Sequence, residues 1–104
     1  MYGTIARLHL KSGAELRMNE VMREYESVEI PGSISTHVFR MDQNPNECYM
    51  VVMFQDRESY RRNAEDPAQH QRYLRMLDML VTEPEWHDGE VVFSEVMSGS
   101  KTGM

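Results

Sequence analysis

The chain has 104 residues, 40% apolar and 27% charged, which is the composition of one globular domain and excludes a disordered chain, a collagen-like chain and a coiled-coil rod. It carries 17 acidic against 11 basic residues, a net charge of −6, with the basic residues scattered. No basic face for nucleic acid is expected from that pattern, and an anionic membrane surface is disfavoured as a partner.

Taken in chain order, residues 2–11 alternate: Thr4, Ala6, Leu8 and Leu10 point one way, Ile5, Arg7 and His9 the other. That period predicts a strand. Lys11-Ser12-Gly13 reads as a turn, with Ser12 as a helix cap. Ala14, Met18, Val21, Met22 and Tyr25 then share one helical face, predicting a helix over 14–26 that Pro31-Gly32 follows. Residues 33–41 alternate again, and Asp42-Gln43-Asn44-Pro45-Asn46 is a turn. Residues 48–55 form the most apolar strand.

Asp56 caps a helix expected over 57–65. Asp66-Pro67 starts another, because a carboxylate caps it and proline lacks the N–H that the first turn leaves unpaired anyway. Gln69 completes a capping-box pattern with Asp66. The second helix is expected over 67–81, with His70, Tyr73, Leu77, Leu80 and Val81 on one face, and a last strand over 89–96. The domain spans 1–96, and 97–104 reads as a small, polar tail.

The order βαββαβ predicts a ferredoxin-like α+β fold, a four-stranded antiparallel sheet with helices on one face. Two helices cover one face only. Yet the strand at 48–54 is apolar on both, whereas a sheet with one wet face alternates. A second copy of the chain is the expected cover, giving a homodimer packed sheet to sheet.

The local phrasing resembles the antibiotic biosynthesis monooxygenase (ABM) superfamily, whose fold is a dimeric α+β barrel. The resembling residues are Lys11-Ser12-Gly13, Pro31-Gly32-Ser33, Phe54-Gln55-Asp56-Arg57-Glu58-Ser59-Tyr60, Asp66-Pro67-Ala68-Gln69-His70 and Glu83-Pro84-Glu85-Trp86. The resemblance implies a cofactor-independent monooxygenase acting with O₂ on a small aromatic or polyketide-like, quinol-type substrate, with no metal or flavin. Similar enzymes place an Asn, a Trp and a Tyr around the second helix region. Asn63 and Tyr73 match that pattern, and Pro67 stands where the Trp would be.

The candidate catalytic residues are therefore His70, Tyr73 and Asn63. Tyr73 or His70 would handle a proton, imidazole being the side chain that changes charge near neutral pH. Asn63 or Arg7 would hold an oxyanion. Arg7, His9, His37 and Trp86 are candidate substrate-binding residues. The structural alternatives are a core tyrosine with a wet hydroxyl, a capping asparagine, a partly buried histidine, polar contacts of a dimer, and a tryptophan anchoring the last strand.

No histidine pair stands at helical metal-ligand spacing, so no metal is expected. Haem degradation ranks lower still, because position 7 is Arg rather than Asn and the one tryptophan, Trp86, follows the second helix. A non-catalytic dimeric module binding a small hydrophobic ligand is the other reading, and ten methionines suit its adaptable interior.

The single cysteine, Cys48, excludes an internal disulfide and reads as small apolar filler. Arg57, Arg61, Arg62, Arg72 and Arg75 read as a solvated helix face with pairs such as Glu58–Arg62. The longest apolar run is far below the roughly 20 residues of a membrane span, and Met1-Tyr2-Gly3-Thr4 has no leader character, so a cytoplasmic location is expected.

Overall fold

Strand β1 (Tyr2–His9) lies inside the sheet, paired antiparallel to β3 (Glu47–Phe54) on one side and to β4 (Glu85–Glu90) on the other. Strand β2 (Ser33–Arg40) pairs with β3, and the sheet order is β2-β3-β1-β4. The computed structural model describes residues 1–97. Helix α1 (Glu15–Glu26) connects β1 to β2, while α2 (Arg57–Glu65) and α3 (Pro67–Leu77) lie between β3 and β4. This is the ferredoxin-like α+β fold expected from the alternation of periods, with the second helix divided in two at Asp66.

Register settles which side chains meet the helices. Ala6 faces Met50 and Leu8 faces Cys48 across the β1–β3 ladder, and all four are buried. They form one core with Leu10, Met18, Val21, Met76, Met79 and Leu80. No helix among the described residues covers the opposite face. Ile5 (49% exposed) lies there beside Val51, and Phe39 (55% exposed) beside Tyr49.

Several local expectations change. Helix α1 begins at Glu15 with Ala14 at its N-cap and no side-chain cap, so Ser12 does not fill that role. The Lys11 N–H instead donates to Met79 O, and Gly13, at φ +81°, turns the chain. Helix α3 stops at Leu77 rather than at 81, because Leu80 bridges to Leu10 and the Val81 N–H donates to His9 O. The sheet edge thus competes with the last helical turn. Val81, expected on the buried helix face, is 65% exposed.

The last strand is displaced: it runs Glu85–Glu90, not 89–96. The reason is the antiparallel register, which sets Glu90 opposite Tyr2. Beyond that point β1 has ended. Among the described residues only Val91 finds a partner there, donating its N–H to Met1 O, and Val92, Phe93 and Val96 are exposed. Of the expected tail at 97–104, all but Met97 lies outside the described residues. No helix among the described residues is long and apolar enough to cross a membrane.

Candidate active site

The break between α2 and α3 shapes the site. Asp56 caps α2, its side chain accepting from the Ser59 N–H. The same hydrogen bond holds its carboxyl below the usual carboxylate range. Asp66 caps α3 by accepting from the Ala68 N–H, with Pro67 in the first helical turn. Gln69 does not close a capping box. Its Nε2 donates to the Tyr25 hydroxyl, and its Oε1 accepts from Arg72 Nε.

Arg72 is buried, with its guanidinium 5.5 Å from the centre of the Tyr25 ring. It therefore leaves the solvated set to which its spacing assigned it. Arg61 and Arg62 keep that role through ion pairs to Glu58 and, for Arg61, to Glu65.

Between these helices and the sheet lies a cavity of about 530 Å³. Its sheet wall is made by Thr4, Thr36, Met50, Val52 and Phe54, all on the helix face of their strands. The helices contribute Asn63, Gln69, His70 and Tyr73, with Met22 and Tyr25 from α1. Strand β4 adds Trp86 and Asp88. The wall is mostly apolar with a few polar groups, the usual make-up of a small-molecule site.

Four of the seven sequence candidates meet here: Asn63, His70, Tyr73 and Trp86. The Tyr73 ring lies 6.2 Å from Trp86 and 6.4 Å from His70, making an aromatic row from α3 to the edge strand. Tyr73 in the middle of the row is half-buried, while His70 and Trp86 at its two ends are exposed.

Arg7, His9 and His37 are elsewhere. Arg7 and His37 lie on the helix-free face, as register partners of Tyr49 and Val51, and His9 is on the same side of β1 as Arg7. Arg7 donates to Glu47 Oε2 at 3.1 Å and approaches Glu85 at 3.9 Å. The hydrogen bond from Arg7 holds the Glu47 carboxyl below its ordinary value. An oxyanion in the cavity therefore has Asn63, and not Arg7, within its walls.

Tyr60 and Asp88 were not anticipated. The Tyr60 hydroxyl donates to Asp88 Oδ1 at 2.8 Å, and its ring packs edge-on against Phe54. Burial, reinforced by the hydrogen bond to Asp88, pushes the Tyr60 hydroxyl up to about 12. At neutral pH it is a donor and not a base. Thr4, opposite Asp88 in the ladder, is buried, and its Oγ1 sits beside the Tyr60 hydroxyl without completing a hydrogen bond. The signal available in the sequence was the helical spacing of Tyr60 and Asn63, three residues apart on α2.

Other proteins share this architecture. SnoaB, a cofactor-independent oxygenase from Streptomyces nogalater solved as a mutant, superposes with a TM-score of 0.78 at 14% identity, covering 89% of this chain and 94% of its own. A conserved protein from Methanosarcina mazei gives 0.75 at 16% identity, covering 85% and 89%. A protein of unknown function from Nitrosomonas europaea, NE2512, gives 0.74 at 13%, covering 94% and 95%. At such identities the likeness shows the fold alone. No curated protein matches the chain. The family model described as antibiotic biosynthesis monooxygenase matches residues 1–74, from β1 through most of α3. With that match over more than half its length, the chain belongs to the antibiotic biosynthesis monooxygenase family.

Proposed function

We propose that the protein is a cofactor-independent monooxygenase that oxidises a small aromatic or polyketide-like, quinol-type substrate with O₂. The observation that carries this reading is the mostly apolar cavity, which brings Asn63, His70, Tyr73 and Trp86 together in a chain of this family. A deprotonated phenolic ring is itself the electron donor to O₂. The protein's share is then to bind the ring, take a proton and hold the resulting anion. His70 or Tyr73 takes the proton, Asn63 donates to the anion, and Trp86 stacks on the ring.

The working form is a homodimer packed through the helix-free sheet face. That face exposes Ile5 and Phe39, and it holds two buried polar atoms, Arg7 Nε and Ser35 Oγ, without partners among the described residues. Arg7, His9 and His37 serve there as polar contacts between the copies.

The test is oxygen consumption by metal-stripped protein over hydroquinones, anthrones and flavonols, beside Tyr73→Phe and His70→Ala. Saturable uptake that falls at least tenfold in one variant, about 1.4 kcal/mol of transition-state stabilisation, supports the enzyme. Ligand binding without turnover supports the second reading, a binding module, which the apolar cavity favours on its own.

A further inference from the structure

One corner of the cavity holds more hydrogen-bond acceptors than free donors. Asp88 Oδ1 accepts from Tyr60, and a carboxylate has further lone-pair sites but no hydrogen to give. The Tyr60 hydroxyl has spent its one hydrogen on Asp88. Thr4 Oγ1, on a residue only 4% exposed, has no partner among the described residues, and it lies on the strand position directly across from Asp88. A buried hydroxyl left unpaired is costly, and a bound head group or an ordered water would complete it.

Charge points the same way. Among the described residues, Asp88 is the one carboxylate lining this cavity, and no Lys or Arg lines it. The nearby guanidiniums are engaged elsewhere: Arg57 sits over the Tyr2 ring at 5.1 Å, and Arg72 is held by Tyr25 and Gln69. Trp86, two residues before Asp88 on the same face of β4, presents an aromatic ring, which attracts cations as well as flat apolar groups. Both Trp86 and Asp88 lie beyond residues 1–74, so the family match does not speak to them.

We propose that the corner formed by Thr4, Tyr60 and Asp88 selects aromatic ligands that present to it a hydrogen-bond donor, a hydroxyl or a protonated amine, and disfavours an anionic group at that corner. This rests on the reading of the cavity as a ligand site. Asp88 is the recognition group and Tyr60 its positioning residue. Thr4 Oγ1 donates to, or accepts from, the same head group. A hydroxyl held against Asp88 keeps its proton, because a second negative charge beside the carboxylate is unfavourable.

The experiment uses three probes of one shape: 1-naphthalenemethylamine, 1-naphthalenemethanol and 1-naphthoate. The single tryptophan lines the cavity, so its indole N–H resonance reports occupancy directly. In the wild-type protein the amine and the alcohol are expected to bind at least tenfold more tightly than the carboxylate. Asp88→Asn should shrink the amine-to-carboxylate ratio at least tenfold. Glu20→Gln, which removes the same unit of charge from the exposed side of α1, should leave it unchanged. Asp88→Ser, which should fold and shrink the ratio likewise, provides a second reading. Binding of all three with no charge preference, or an unchanged ratio in folded Asp88 variants, overturns the selectivity and leaves the ligand site standing. Failure of all three to move the Trp86 resonance overturns both.

Discussion

The Tyr60 hydroxyl and Asp88 Oδ1, 2.8 Å apart, tie the first turn of α2 to the edge strand β4 across 28 residues of sequence. This contact closes one end of the cavity, and it has a consequence for alkaline stability. Tyr60 holds its proton up to about 12 in the folded protein, against about 10 for a free phenol. Between those values the folded state binds the proton that the unfolded state has lost, so stability falls as pH rises. The contribution is fully present below pH 10 and gone above about 12. Thermal melts from pH 8 to 12 should therefore decline more steeply in the wild type than in Tyr60→Phe. Burial is the larger cause of the raised value, so equal slopes would show that Tyr60 is neither enclosed nor held by Asp88 in solution.

Cys48 gives a second expectation. It is buried on β3 against Leu8, and desolvation raises its thiol above the ordinary value. A protonated, enclosed thiol reacts poorly, since the thiolate is the nucleophile. A disulfide exchange reagent should label the native protein slowly at pH 8 and one thiol per chain promptly in urea. Prompt labelling without denaturant would mean that β3 is open at that end.

How far these groups were legible depends on where the chain is locally determined. Helix α2 was readable to the residue, because Asp56 starts it by capping and Pro67 forces a new helix after Asp66. His70 and Tyr73 were readable as a pair from their spacing on an apolar face. Asp88 was not, and one displaced strand explains why. Residues 91–96 are the more apolar run, while Glu85–Glu90 is polar apart from Trp86 and Gly89, so the pattern favoured the wrong segment. With 85–88 taken as loop, Asp88 had no register partner and Thr4 no neighbour. Pairing with β1 overrode local preference, and only the fold reveals it. Similarly, nothing local to Arg72 marks it as buried; its place is set by Tyr25 on another helix.

The junction of the two short helices is itself testable. Asp66 ends α2 and caps α3, accepting from the Ala68 N–H at 3.0 Å. Asp66→Ala should cost about 1 kcal/mol by leaving that donor unpaired, while Asp66→Asn should cost less. Urea unfolding is the measure: the midpoint should fall with the slope unchanged. An altered slope would mean that the helix break, and the cavity with it, had been reorganised.

The helix-free face supplies the last expectation. Phe39 projects there at 55% exposure beside Tyr49, and Ile5 at 49% beside Val51. Burying a side chain of this size stabilises by roughly 1.5–3 kcal/mol. In a two-fold interface every residue counts twice, because the same patch meets itself. A single Phe39→Glu change should therefore weaken the proposed dimer by about 3–6 kcal/mol, at least a hundredfold in dissociation constant. Sedimentation equilibrium at micromolar concentration should give twice the 12.2 kDa chain mass for the wild type and the chain mass for the variant. The variant should keep its circular dichroism, since Phe39 is outside the buried core. A wild-type monomer would remove the face-to-face dimer outright. A dimer that survived Phe39→Glu would move the interface to another surface, and the exposed Val92, Phe93 and Val96 beyond β4 would be the next to substitute.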